Sequence, residues 1–145
     1  MEKKDNIATR VKSDRQLVFY DGDCFFCKRA VRYIIKNDIS RQFYFVSIRT
    51  RKALIYLSEA SNRVRNSKSV IARIDNRFYY ASTAILMIAI KIDKYKFWAK
   101  LFLKFPRVLR DWVYYLFASQ RYFYSSFIKT CPLSQQDFDE RIISD

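Results

Sequence analysis

Between Leu17 and Ile34 the spacing of apolar residues switches from that of a strand to that of a helix across one short turn. Leu17-Val18-Phe19-Tyr20 is a strand-like apolar run, stopped by Asp21-Gly22-Asp23, which holds the only glycine of the chain. From Cys24 the period changes. Cys27, Ala30, Val31 and Ile34 fall at i, i+3, i+4 and i+7, one face of a helix, with Lys28, Arg29, Arg32 and Lys36 on the other. Asn37-Asp38 ends this helix. A strand feeding a helix through a tight turn is the first half of a βαβ unit, and it points to an α/β architecture.

The downstream pattern completes that unit. Phe43 to Ile48 reads as the next strand, Lys52 to Ala60 as a helix, and Ser61 to Ser69 as a polar, basic loop. Val70 to Ile74 and Phe78 to Ala81 read as two strands joined at Asp75-Asn76, a β-hairpin. Ser82 or Thr83 is placed to cap a helix running to about Ile92. The order is β-α-β-α-β-β-α. The first two strands are expected to be parallel, because a helix joins them, and the hairpin adds two antiparallel strands. This is the minimal thioredoxin-like layout. Residues 93–145 read as a basic, aromatic-rich helical extension, with helices over 94–105 and 109–127, and residues 1–15 as a flexible basic arm. A single thioredoxin-like domain over 16–145, with core 16–92, is therefore expected, and 145 residues suit one core.

Charge and composition narrow the function classes. The chain carries 28 Lys and Arg against 14 Asp and Glu, a formal net charge of +14. Such a charge steers a protein toward anions, or else reflects only a well-solvated surface. There is no histidine, which removes the Cys–His dyad and most zinc sites. Met1 to Gln16 has no apolar core of the secretory kind. The longest apolar run, Ala81 to Ile90, is interrupted by Ser82 and Thr83 and is far short of the ~20 residues of a membrane span. The expected location is the cytoplasm, with a peripheral position at a membrane left open. Cysteines in a reducing compartment point to catalysis or metal binding rather than to structural disulfides.

The residues that carry chemistry are Cys24 and Cys27, three apart at a helix start, so their sulfurs share one face and can close a disulfide. Orphan N–H groups and the dipole at a helix N-terminus favour a thiolate, which makes Cys24 the nucleophile and Cys27, a turn further in and expected to be less exposed, the resolving thiol. Asp21 and Asp23 oppose ionisation of Cys24, or one of them relays a proton. Lys28 and Arg29 add positive charge nearby. Phe25 and Phe26 fill the gap between the cysteines, and one of them is placed to meet a substrate beside the sulfur. Half a zinc site would show the same Cys-x-x-Cys, but only Cys131 remains as a further soft ligand. No metal and no cofactor is expected.

Several separated segments resemble those of the DCC-type thiol–disulfide oxidoreductases. Asp21, Cys24 and Cys27 match the signature for which the family is named, after the strand Val18-Phe19-Tyr20. Ser82-Thr83-Ala84 is similar to its Ser-x-Ala element, and Pro106 to Tyr114 to its Pro-x-x-x-Arg-Asp-x-x-Tyr stretch. Arg121-Tyr122 and Cys131-Pro132 are similar to its closing segments, so the resemblance spans about residues 17–132. It implies a thioredoxin-like fold and disulfide oxidoreductase activity. Two departures stand out: no proline precedes the third strand, where thioredoxins have a cis-proline and this chain has Lys68-Ser69, and the family's glycine before its final cysteine is missing.

The supporting residues have alternative readings. Arg110 and Asp111 orient a loop near Cys24 or form a structural ion pair at a helix start. Arg121 contacts the thiolate or lies on the surface. Cys131 is a third redox thiol or a small buried residue. Lys96, Lys100 and Lys104, interleaved with aromatics, make a helix that either lies on an anionic membrane or covers the core with its aromatics; the second is the expectation. The function expected is a thiol–disulfide oxidoreductase of the protein-disulfide reductase kind, acting on a disulfide-bearing protein or a small thiol. A redox-inert basic module binding a membrane surface or nucleic acid is the alternative, the nucleic-acid version resting on charge alone.

Overall fold

A computed structural model of the chain describes residues 15–125 and 141–143, with residues 121–125 in backbone only. The elements are β1 (Gln16–Tyr20), α1 (Phe25–Asn37), β2 (Phe43–Ser47), α2 (Arg51–Leu57), α3 (Asn62–Arg65), β3 (Ile71–Ile74) and β4 (Arg77–Tyr80), then α4 (Ala81–Lys91), a 3-10 turn (Asp93–Tyr95), α5 (Lys96–Leu103), α6 (Arg107–Ser125) and β5 (Ile142–Ile143). The strands form one mixed sheet in the order β4-β3-β1-β2-β5. β1 and β2 are parallel, Gln16 opposite Phe43 and Tyr20 opposite Ser47. β3 runs antiparallel to β1 and to β4. This is a mixed α/β fold of thioredoxin-like kind, with β1 and β2 parallel and β3 and β4 an antiparallel hairpin, as the apolar pattern predicts.

The central strand explains the layering. Leu17, Val18, Phe19 and Tyr20 are all buried, so β1 is covered on both faces, as a continuous apolar run requires. Val18 and Tyr20 join Phe43, Phe45, Ile74 and Val31 of α1 with Ala84 and Ile88 of α4. Leu17 and Phe19 point the other way, to Val46, to Ala53 and Leu57 of α2, and to Val64 of α3. Helix α3 lies where a loop was expected; Val64 supplies a buried side chain that holds this short turn against the sheet. The β3–β4 hairpin turns on Asp75 and Asn76, both at positive φ (48° and 65°), the left-handed pair that a two-residue hairpin needs.

The start of α4 differs from the expected cap. Its N-cap is Tyr80, with no side-chain cap, and Ala81 has a left-handed φ of 54°. The Ala81 N–H donates to the Val70 carbonyl and to Ser69 Oγ, both at 3.1 Å, and these bonds offset a strain of roughly 1–2 kcal/mol. Ser82 is free of capping duty and donates instead to the Asp111 carboxylate on α6.

The C-terminal residues also differ from a purely helical extension. β5 lies parallel to β2, Phe45 opposite Ile142, and the Phe45 N–H donates to the Arg141 carbonyl at 2.9 Å. Arg141 is buried, and its Nη1 lies 2.9 Å from Asp38 Oδ2 at the end of α1. That same carboxylate oxygen accepts the Phe43 N–H at 3.0 Å. The sequence pattern missed this latch because a two-residue strand has no period to read. The buried pair yields a prediction. Arg141→Ala leaves Asp38 as an uncompensated buried carboxylate and should cost about 3–5 kcal/mol in denaturant unfolding. Asp38→Asn/Arg141→Met should lose clearly less, which distinguishes an orphaned charge from lost packing.

Candidate active site

The site begins at the end of β1. Asp21 Oδ1 accepts the Asp23 N–H at 3.1 Å, and the Asp21 carbonyl accepts the Cys24 N–H at 3.2 Å. This Asx turn delivers Cys24 to the N-cap of α1 in an extended conformation (φ −86°, ψ 118°), with its carbonyl accepting the Lys28 N–H at 3.1 Å. Gly22 has no left-handed backbone, but it sits close to β2: a Cβ there would stand 2.9 Å from the Ser47 hydroxyl, which would have to turn away. The turn is thus pressed against the end of β2.

β2 supplies the cation of the site. Because β1 and β2 are parallel, their C-terminal ends emerge side by side, with the Ile48 N–H donating to the Tyr20 carbonyl at 3.0 Å. Arg49 then lies 2.7 Å from Asp23 and 3.7 Å from Asp21. It offsets the two carboxylates that oppose a thiolate, a role the sequence reading gave to Lys28 and Arg29. The signal was available: the residue just past a parallel neighbouring strand sits beside the first strand-to-helix turn.

Cys24 and Cys27 are both thiols. Their exposure is the reverse of the expectation. Cys24 is 1% exposed, whereas Cys27 is partly exposed. Cys24 belongs to the turn packed on β2. Cys27 lies on the strip of α1 that opens on a cavity of about 820 Å³. The walls are almost wholly apolar: Phe26 and Ala30 of α1, Val70, Ile85 and Ile88, and Tyr114 and Phe117 of α6. Phe25 and Phe26 meet edge to face at 5.9 Å, and Phe26 is the one that lines the cavity. Tyr20 also lines it, and burial pushes its phenol above the ordinary value, so the hydroxyl keeps its proton over the range in which thiols titrate. Tyr33 and Tyr95, hydrogen-bonded through their hydroxyls, stand at the same cavity.

The other candidate residues gather at the start of α6. Asp111 accepts from Ser82 and lies 3.4 Å from Arg107, one turn earlier. Arg110 turns to the Phe105 carbonyl, donating from Nε at 3.1 Å, and its Nη1 is buried with no hydrogen-bond partner among the described residues. The cation beside Asp111 is therefore Arg107. Tyr114, not among the candidates, accepts the Val70 N–H at 3.1 Å through its hydroxyl, just before β3. Arg121 falls on α6, but its side chain, like Cys131, lies outside the described residues. Among the described residues no cluster of metal-ligating side chains occurs.

A thioredoxin-like sheet with a Cys-x-x-Cys pair at its first strand-to-helix junction is the frame of a thiol–disulfide exchange protein. The chain belongs to the DCC1-like thiol-disulfide oxidoreductase family, which it matches over residues 18–127. It is 25% identical to the uncharacterized protein YuxK of Bacillus subtilis over 128 residues, 88% of this chain and 93% of that protein. It is 28% identical to a DCC family protein of Arabidopsis thaliana, described as chloroplastic, over 109 residues, 74% of this chain and 63% of the plant protein. No solved structure matches the chain.

Arg49 carries a prediction. In Arg49→Ala the two carboxylates face an incoming reagent uncompensated. Reaction of the cysteine pair with a negatively charged aromatic disulfide should slow about threefold in low salt, and much less with a neutral disulfide. Equal slowing with both reagents would assign Arg49 to structure alone.

Proposed function

We propose that the protein is a thiol–disulfide oxidoreductase of the protein-disulfide reductase kind, with Cys24 and Cys27 as its redox couple. The observation that carries this reading is the placement of Cys24 at the N-cap of α1 and Cys27 one turn on. At an N-cap the first-turn N–H groups have no intrahelical acceptor and stabilise negative charge on a nearby sulfur. Cys24, as thiolate, attacks one sulfur of a substrate disulfide. A mixed disulfide forms and one substrate thiolate leaves. Cys27, as thiolate, then attacks Cys24 Sγ, the internal disulfide closes, and the second substrate thiolate leaves. Two electrons pass from the dithiol to the substrate, and the two protons of the cysteines end on the two product thiols. Another dithiol regenerates the reduced pair by the same steps in reverse.

Asp21 acts in this scheme as a positioning residue, fixing the turn that presents Cys24 and facing Arg49. The cavity beside Cys27 favours a disulfide flanked by apolar side chains, in a protein or a small thiol adduct. Cys24 is buried and does not line the cavity, so a substrate must displace part of the turn to reach its sulfur. A thiol-reducing compartment such as the cytoplasm suits this chemistry. Among the described residues no helix is long and apolar enough to cross a membrane.

Trapping tests the roles. With oxidised glutathione as substrate, Cys27→Ser should hold a stable mixed disulfide on Cys24, seen by peptide mass spectrometry. Cys24→Ser should lose turnover by about 10³-fold or more. Mixed disulfide accumulating on Cys27 in Cys24→Ser, with none on Cys24 in Cys27→Ser, would reverse the assignment. Stoichiometric zinc on the reduced protein, without exchange, would refute the redox reading.

A further inference from the structure

The aromatics of α5 and α6 do not cover the core, contrary to the sequence-based expectation. On α5 only Ala99 is buried; Phe97 is 72% exposed and Trp98 58%. On α6, Val108 is 83% exposed and Trp112 64%, with Leu109, Leu116 and Phe117 also exposed. The physical reason lies in the inward strips. The part-buried strip of α6 is Arg110, Asp111, Tyr114 and Ala118, anchored through Ser82 and Val70. The sheet face above β1 is already occupied by α1 and α4. The large side chains of α5 and α6 are left outside that packing, and exposed apolar residues in such number along two successive helices mark an interaction site.

Its charge says what covers it. Residues 94–110 hold six Lys and Arg and no Asp or Glu. Lys96, Lys100 and Lys104 are exposed at successive helical turns among Trp98, Leu101, Phe102 and Phe105. A second copy of the chain would bring this row against an identical one, on bodies each of formal charge +14. Exposed aliphatics such as Val108, Leu109 and Leu116 have no use in stacking bases. Exposed Trp, Phe and Leu interleaved with Lys is the composition of a helix lying in the plane of a bilayer interface.

We propose that α5 and α6 dock this protein on an anionic membrane surface, with Trp98 and Trp112 in the headgroup region and the lysines on acidic lipid. α6 also contributes Tyr114 and Phe117 to the cavity beside Cys27, so docking holds the cysteine site close to the lipid.

These are the only two tryptophans of the chain, so intrinsic fluorescence reports the face directly. Full-length protein mixed with phosphatidylglycerol-containing vesicles should show a blue-shifted emission and co-sedimentation; pure phosphatidylcholine should give far less. Lys96→Glu/Lys100→Glu/Lys104→Glu should weaken binding by at least about tenfold while leaving glutathione-disulfide reduction in solution unchanged. Trp98→Ser/Trp112→Ser should weaken it by a similar factor with an unchanged melting temperature, since both side chains are exposed. Three results would overturn the proposal: vesicle binding indifferent to both sets of substitutions, a dimer that Trp98→Ser dissociates with no vesicle binding, or a tryptophan response to nucleic acid but not to vesicles.

Discussion

The parallel pairing of β1 with β2 is the constraint from which the site follows. Parallel strands joined by a helix bring both C-terminal ends to the same end of the sheet. The turn after β1 and the loop after β2 must then lie side by side there. Gly22 lets the first pass within van der Waals distance of Ser47, and Arg49 in the second meets the carboxylates of the first. Cys24 arrives at the head of α1 because Asp21 bends the chain there with its own side chain and carbonyl. Each of these residues is unremarkable alone. Their chemistry depends on the register that sets Tyr20 opposite Ser47.

A second constraint acts from the far end of the chain. The pair Asp38–Arg141 links the end of α1 to the residue that opens β5, 103 positions away. Buried charges are stabilising only while both are present and hydrogen-bonded, so the pair acts as a condition on folding more than as a gain. It also means that removing everything after Ile92 would take away a strand and orphan Asp38. Loss of stability on such truncation would say nothing about whether α5 and α6 serve the core or a membrane, which is why point substitutions on their exposed face are the informative test.

The sheet was legible because its signals are strong and local. The continuous apolar run of β1, the switch to a helical period at Cys24 and the Asp75-Asn76 turn each have one reading. Three things were not legible. β5 is too short to carry a pattern, and Arg141 looks like any surface arginine until its partner is known. Exposure at the cysteine pair depends on what the turn packs against, so helix position alone ranked Cys24 and Cys27 in the wrong order. The aromatics of α5 and α6 were read as core because large apolar residues usually are, but periodicity tells only which residues share a face, not whether anything covers it. There Ala99 and the polar strip of α6 mark the inward side, and the apolar residues point out.

The most specific departure from ordinary thioredoxins concerns the backbone just before β3. A proline at that place would have no N–H to satisfy. Here Val70 has one, part-buried and lining the cavity with Cys27, and a buried donor without a partner is costly. Tyr114 of α6 accepts it. Asp111, one turn earlier on α6, is tied to Ser82 at the start of α4, where the Ala81 N–H bonds to Ser69 and Val70 and no side chain caps the helix. The family's Ser-x-Ala and Arg-Asp-x-x-Tyr elements thus meet as one hydrogen-bonded junction. It replaces a rigid proline beside the cysteines with a helix brought in from the C-terminal half, and the segment that looks appended in sequence becomes a wall of the cavity.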